Sequence, residues 1–204
     1  MKITSEDRLE DLTWPLPIEK KIDIFYKQLF GWQLHIADQI ANGSPPLEEG
    51  ARVNPIEHSG FAVLQICLSY FETIGKHRPT GSSVPAGKKS GSKFKAGVEA
   101  VFPTLSSIAR KERGELLDAF YERARCALYH NSRTGRRVGL AQPSNGDAVY
   151  YDPKSRTLQI SPERLPRVLK AHLEQYRGEL LNPANGKLRA SFQRRFDADF
   201  GVKP

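Results

Sequence analysis

Cysteine is scarce in this chain of 204 residues, which contains only Cys67 and Cys126. Neither cysteine belongs to a Cys/His cluster with the spacing of zinc ligands, so we expect no structural metal. Two isolated thiols in partly apolar surroundings are typical of a reducing compartment. No apolar run approaches the ~20 residues that a membrane-spanning helix requires, so we expect no membrane association. The first 14 residues lack the apolar centre of a signal peptide, and we therefore expect a cytoplasmic protein.

Acidic residues are in the minority, with 23 Asp and Glu against 31 Lys and Arg, which gives a net charge of +8. A positive excess of this size favours association with polyanions such as nucleic acid, although it also serves ordinary solubility. The hydrophobic fraction of 39% is sufficient for a core, which argues against a disordered chain. The length favours one domain.

Apolar residues recur with helical spacing along most of the chain, which predicts a mainly α-helical fold, arranged as a helical bundle. Two connecting segments are rich in glycine, proline and polar residues. They predict a loop at 43–57 and a mobile basic loop at 75–93. The predicted helices cover 18–42, 58–74, 94–102, 116–133 and 161–180.

The sequence changes character after residue 137, where short runs of β-forming residues alternate with turn residues. This pattern predicts a small antiparallel hairpin or meander over 138–160, before the helix that starts near residue 161. We expect residues 1–182 to form a single helical domain. The remaining residues, 183–204, mix basic and aromatic side chains and are expected to form a C-terminal tail, either frayed or used for binding a partner.

The helix predicted at 116–133 is the best place in the sequence for chemistry. Its apolar residues follow the period of one buried face, and its outer side carries Glu122, Arg123, Arg125, His130 and Asn131. A strong cation and a titratable imidazole therefore share one helix end. The presence of these residues at the helix end also has a purely structural explanation. Histidine interacts favourably with the dipole at a helix C-terminus, and surface arginines are usually solvated.

Spacing leaves open which arginine accompanies His130. On an ideal α-helix, Arg125 and His130 point about 140° apart, whereas Arg123 lies within about 20° of His130. Local geometry thus favours Arg123 as the neighbour. Arg125 reaches His130 if the helix end loosens, or if a second subunit completes the site in a two-fold dimer.

The segment FYERARCALYHNSR resembles the signature helix of the HEPN domain family, whose hallmark is R-x(4–6)-H near a helix end. Arg125 and His130 match this motif with four residues between them, and Arg123 matches it with six. Cys126 departs from the Asn, Asp or His that the family often has after the arginine. The order of elements over residues 20–182 is also similar to that family.

The resemblance implies a helical-bundle homodimer that cleaves RNA without metal or cofactor, often in toxin–antitoxin or antiviral defence with a partner protein. In this interpretation His130 takes the proton of a ribose 2′-OH, since the pKa of histidine lies near working pH. Arg125, or alternatively Arg123, stabilises charge on the phosphorus with its planar donors. The expected products are a 2′,3′-cyclic phosphate and a 5′-OH.

Further residues are candidates for binding the RNA substrate. Asn131 is expected to orient the phosphate, and Glu122 to orient one of the basic groups. Arg133, Lys88 and Lys89 lie in the predicted basic loops and are expected to contact the phosphate backbone.

Two other functions are consistent with the same residues. Some HEPN proteins have lost catalysis, and the departure at Cys126 is consistent with a HEPN-like module that binds nucleic acid or a partner protein. A third hypothesis is a partner subunit that docks through its C-terminal segment, where basic residues alternate with Phe192, Phe196 and Phe200.

Overall fold

Helices form most of the structure, a computed structural model that describes residues 1–43, 54–78, 90–143 and 146–202. A small three-stranded sheet completes these regions. The mainly helical class and the small sheet agree with the sequence prediction. The helices are α1 (Ile18–Leu29), α2 (His35–Asn42), α3 (Gly60–His77), α4 (Ser90–Val101), α5 (Arg110–Asp118), α6 (Ala127–Asn131), α7 (Leu165–Leu181) and α8 (Gly186–Asp199).

The first long helix confirms the prediction for residues 18–42. It consists of α1, a π-helical segment at Phe30–Leu34, and α2. Ile22, Phe25 and Leu29 bury its apolar face. The helix ends at Gly43, whose φ of 72° lies in a region that glycine adopts without the steric penalty of a Cβ atom.

Helix α3 lies at the centre of the core, as its nearly continuous apolar surface predicted, and it packs closely on α4 at two glycines. A Cβ atom on Gly97 would lie 1.7 Å from the carbonyl oxygen of Phe71. One on Gly75 would lie 1.8 Å from the carbonyl oxygen of Lys93. Both distances are far below any real Cβ contact, so this packing requires glycine at both positions.

The predicted basic loop at 75–93 is wrong at both of its ends. Helix α3 continues to His77, and α4 already begins at Ser90. Two of the glycines that suggested a loop, Gly75 and Gly91, lie at packing contacts instead, and a Cβ atom on Gly91 would lie 2.9 Å from the ring of Tyr121. Residues 79–89, and most of the predicted loop at 43–57, lie outside the described residues.

The sheet comprises β1 (Val138–Leu140), β2 (Val149–Asp152) and β3 (Thr157–Ile160) in the order β1-β3-β2. Strands β2 and β3 form the predicted antiparallel hairpin, with Tyr150 opposite Gln159. The all-antiparallel arrangement is wrong for β1, which runs parallel to β3. This order places the most apolar strand in the centre, where Leu158 and Ile160 are completely buried.

The C-terminal segment is a helix packed on the core, which corrects the predicted tail over 183–204. Helix α8 buries Phe192 and Phe196, which are spaced one helical turn apart. Asp197 pairs with the buried Lys21 of α1 at 2.6 Å. The mixture of basic and aromatic residues therefore reflects an amphipathic helix over Gly186–Asp199 rather than a frayed tail, and docking of this segment on a partner stays a prediction.

Replacing Gly97 by alanine should destabilise the protein by about 3 kcal/mol or more, because the methyl group overlaps the Phe71 carbonyl and forces α3 and α4 apart. Urea denaturation would measure the free energy of unfolding. Gly178→Ala in α7 is the matched control, since a Cβ atom there meets nothing within 4 Å. Alanine should stabilise that site by roughly 0.5–1 kcal/mol. Equal effects of the two substitutions would contradict the close helix contact.

Candidate functional site

The helix that carries the candidate residues runs over 110–131 and is not a regular α-helix. It comprises α5, a π-helical segment at Ala119–Cys126, and α6. It starts six residues earlier than the prediction, at Arg110, and ends at Asn131, before Ser132 with a φ of 54°. A π-helical segment has i→i+5 hydrogen bonds, so the ideal α-helical angles do not apply to its two arginines.

The two candidate arginines contact different parts of the molecule. Arg125 faces α3, where its Nη2 donates to Glu72 Oε2 at 3.1 Å. Arg123 faces the sheet, where its Nη1 donates to the backbone oxygen of Arg156 at 3.4 Å. The Arg123 carbonyl also accepts a 2.7 Å hydrogen bond from the Gly135 amide. Arg123 thus lies on the side of the helix end that packs against the loop before β1 and against the turn before β3.

Glu72 binds two cations at once. Its Oε1 lies 2.9 Å from Lys76 Nζ, one turn along α3, and its Oε2 accepts from Arg125. Burial raises the pKa of Glu72. Hydrogen bonds from Lys76 and Ser90, together with the charges of Lys76 and Arg125, lower it by more, so the net pKa falls below its usual value. The carboxylate is therefore ionised at neutral pH, and the Lys76–Glu72–Arg125 cluster carries one net positive charge.

Glu72 is the residue at this site that the sequence motif does not reveal. The sequence distinguishes Glu72 in one respect, because it is the only acidic residue in the apolar segment 58–74. A carboxylate in such a helix needs a cationic partner if it is partly buried. The R-x(4–6)-H motif lies within one helix, whereas Glu72 lies on another, α3.

Tyr129 connects Arg125 and His130. The Arg125 guanidinium carbon lies 5.2 Å from the centre of the Tyr129 ring, within the range of a cation–π contact. The His130 ring stands nearly perpendicular to Tyr129, with 5.4 Å between ring centres. Arg125 and His130 therefore converge on one side chain, whereas Arg123 contacts neither ring. These contacts favour Arg125 as the companion of His130.

His130 is exposed at the end of this helix. Across the described part of the chain it makes no hydrogen bond or ion pair, and its ring contact with Tyr129 is its one assigned side-chain interaction. Both ring nitrogens are accordingly open to a ligand. An exposed, unpaired imidazole is suited to proton transfer at a phosphate ester.

A groove of about 250 Å³ runs between α3 and the helix end, beside Arg125 and Tyr129. Its floor is apolar, formed by Leu68 and Leu128. Its walls are polar or charged and consist of Gln65, Ser69, Glu72, Thr73, Lys76 and Arg125, with Tyr129 at one side.

The other predicted site residues are less closely grouped. Glu122, Asn131 and Arg133 are exposed, and none has a side-chain hydrogen bond or ion pair to another described residue. Lys88 and Lys89 lie outside the described residues.

The buried histidines of the core are distinct from this site. His77 packs against Phe25, and His172 lies 2.7 Å from the Tyr70 hydroxyl through its Nδ1. Burial lowers the pKa of each to about 4, so both are neutral at pH 7 and serve packing.

No group of three or more His, Cys, Asp or Glu residues in the described ranges could hold a metal ion. None of the helices seen there is long and apolar enough to cross a membrane.

Comparison with known proteins gives no match: no family model, no curated protein and no solved structure is similar to this chain. The HEPN resemblance therefore stays a prediction that rests on the motif and on the order of elements.

The Glu72–Arg125 contact can be tested by a double-mutant cycle with Glu72→Gln and Arg125→Met. We expect a coupling free energy of about 1 kcal/mol in urea denaturation. Partial burial of the pair strengthens the interaction, whereas Lys76 limits the loss because it remains as a second partner of Glu72. The control cycle pairs Glu72→Gln with Arg123→Met, which should be additive within about 0.5 kcal/mol since these side chains do not touch. Additivity in the first cycle would show that Arg125 does not bind Glu72.

Proposed function

We propose that this protein is a metal-independent endoribonuclease of HEPN type, with Arg125 and His130 as its catalytic residues. The observation that carries the proposal is the convergence of Arg125 and His130 on Tyr129, at the edge of a cationic groove. The net charge of +8 supports a polyanionic substrate. By resemblance, the proposal extends to a homodimer that acts in a toxin–antitoxin or antiviral system with a partner protein.

The proposed reaction is an internal transfer at phosphorus. His130 removes the proton from a ribose 2′-OH, and the 2′-oxygen then attacks the adjacent phosphorus. The bond from phosphorus to the 5′-oxygen of the next nucleotide breaks, and that oxygen takes up a proton. The products are a 2′,3′-cyclic phosphate and a 5′-OH, and no metal-activated water is needed.

Arg125 is suited to stabilise the extra negative charge that develops on the phosphate oxygens. A guanidinium has five N–H donors in a fixed plane, and Glu72 engages the Nη2 group alone. The remaining donors can bind a phosphate without loss of the Glu72 contact. Lys76 adds a second cation to the same groove.

One observation favours the alternative of a non-catalytic module that binds nucleic acid or a partner protein. The hydrogen bond of the Arg125 guanidinium is with Glu72, which lies on another helix from His130. A guanidinium held in this way can bind a phosphate without taking part in chemistry.

An RNA cleavage assay on pure protein in excess EDTA separates the two functions. We expect cleavage by the wild type, a loss of at least about 100-fold with His130→Ala, and a similar loss with Arg125→Ala. Arg123→Ala is the matched control, because it removes an arginine from the same helix that faces the sheet, and its rate should stay within several-fold of wild type.

Cleavage by His130→Ala at the wild-type rate would refute the proposal. RNA binding by every variant, without cleavage by the wild type, would instead establish the binding module. Circular dichroism spectra of all variants would verify that each substitution leaves the helical fold intact.

A further inference from the structure

Tyr129 is an aromatic side chain left largely in solvent at the centre of the candidate site. It is 64% exposed, which is more than any other large hydrophobic or aromatic side chain in the described residues except Met1. Three of the seven tyrosines, Tyr70, Tyr151 and Tyr176, are buried, and Tyr70 and Tyr176 are completely inaccessible. The hydrophobic core does not require Tyr129, so its position calls for another explanation.

The two ring contacts of Tyr129 are with a cationic and a titratable side chain. Arg125 lies over its ring, and His130 stands edge-on beside it, yet more than half of the residue stays accessible with both in place. An accessible aromatic ring within a cationic surface is the arrangement by which proteins bind single-stranded nucleic acid, with bases stacked on the ring and phosphates held by the charges.

The adjoining groove offers groups that can contact the edge of a base. Gln65 has an exposed amide that makes no hydrogen bond to another described residue. The hydroxyls of Ser69 and Thr73 donate to backbone oxygens of their own helix and keep their acceptor capacity. Lys76 and Arg125 line the same groove and supply the charge for an adjacent phosphate.

We infer that Tyr129 is a stacking platform for one unpaired nucleobase of the RNA substrate, with the groove between α3 and the helix end receiving the edge of that base. This inference rests on the proposed function, and it narrows the substrate of that function to single-stranded RNA. Stacking beside His130 places the ribose of the bound nucleotide near the imidazole. A base paired within a duplex has both faces covered by its neighbours and cannot occupy this position.

The test measures binding to a substrate that cannot be cleaved. Fluorescence anisotropy of wild-type protein, in EDTA and at one fixed salt concentration, would compare three labelled 2′-O-methyl oligoribonucleotides: an unstructured strand, its duplex, and the same strand with abasic positions. Methylation removes the 2′-OH proton, so cleavage does not interfere. We expect the unstructured strand to bind most tightly.

The protein variants are Tyr129→Ala, Tyr129→Phe and Tyr150→Ala. Tyr129→Ala should weaken binding of the unstructured strand by about 5- to 100-fold, the usual cost of losing one base-stacking contact. It should leave binding of the abasic strand nearly unchanged. Tyr129→Phe should bind like the wild type because it retains the ring. Tyr150→Ala, at an exposed tyrosine of β2, is the matched control and should also bind like the wild type.

Several results would overturn the inference: equal binding of Tyr129→Ala and wild type, equal binding of abasic and base-containing strands, or no binding of any strand. A parallel cleavage assay on natural RNA separates this failure from that of the proposed function. If natural RNA is cleaved but binding does not depend on Tyr129, the stacking platform is refuted and the ribonuclease stands. If binding depends on Tyr129 and on the bases but no RNA is cleaved, the ribonuclease is refuted and the platform stands.

Discussion

The close contact of α3 and α4 at Gly75 and Gly97 is the constraint on which the candidate site depends. Because no side chain separates the two backbones there, Phe71 of α3 and Phe94 of α4 are brought together at 5.5 Å between ring centres. Phe120, from the helix over 110–131, packs on both rings, at 5.4 Å and 5.8 Å. This aromatic cluster fixes the helix that carries Arg125 against the helix that carries Glu72.

Electrostatics at the site follow from this packing. Glu72 follows Phe71 on α3 and is partly buried, with 17% of its side chain exposed. A partly buried carboxylate is stabilised by its cations, and here Lys76 and Arg125 both serve. The result is a guanidinium with a defined position and spare donors. Preorganisation of this kind favours binding of a phosphate, because the cost of ordering the arginine has already been met in folding.

Most helices could be predicted from the sequence, but the contacts between them could not. Helical faces were predictable because Ile22, Phe25 and Leu29 repeat with the period of a helix. Gly75 and Gly91 suggested a loop because sequence alone does not distinguish a glycine that gives flexibility from one that allows close packing. Strand β1 was assigned to a local hairpin because neighbours in sequence usually pair, whereas burial of Leu158 and Ile160 required a central β3.

At the candidate site, the residue types could be predicted from the sequence, but the contacts between these residues could not. The ideal-helix projection used for Arg123 and Arg125 assumed regular α-helical hydrogen bonds, and the π-helical segment Ala119–Cys126 removes that assumption. Glu72 is distant in sequence, so no local motif includes it. The exposure of Tyr129 depends on where the buried face of this helix ends, which only the packed structure defines.

The most direct test of the account is the chemical nature of the RNA ends that the pure protein produces. Mass spectrometry of the fragments formed in EDTA would identify both termini of each cut. A 2′,3′-cyclic phosphate on one fragment and a 5′-OH on the other are predicted, since both follow from attack by the 2′-oxygen at a site built from Arg125 and His130. A 3′-OH with a 5′-phosphate would contradict the account, because those ends require water to attack the phosphorus and displace the 3′-oxygen, without any role for the 2′-OH.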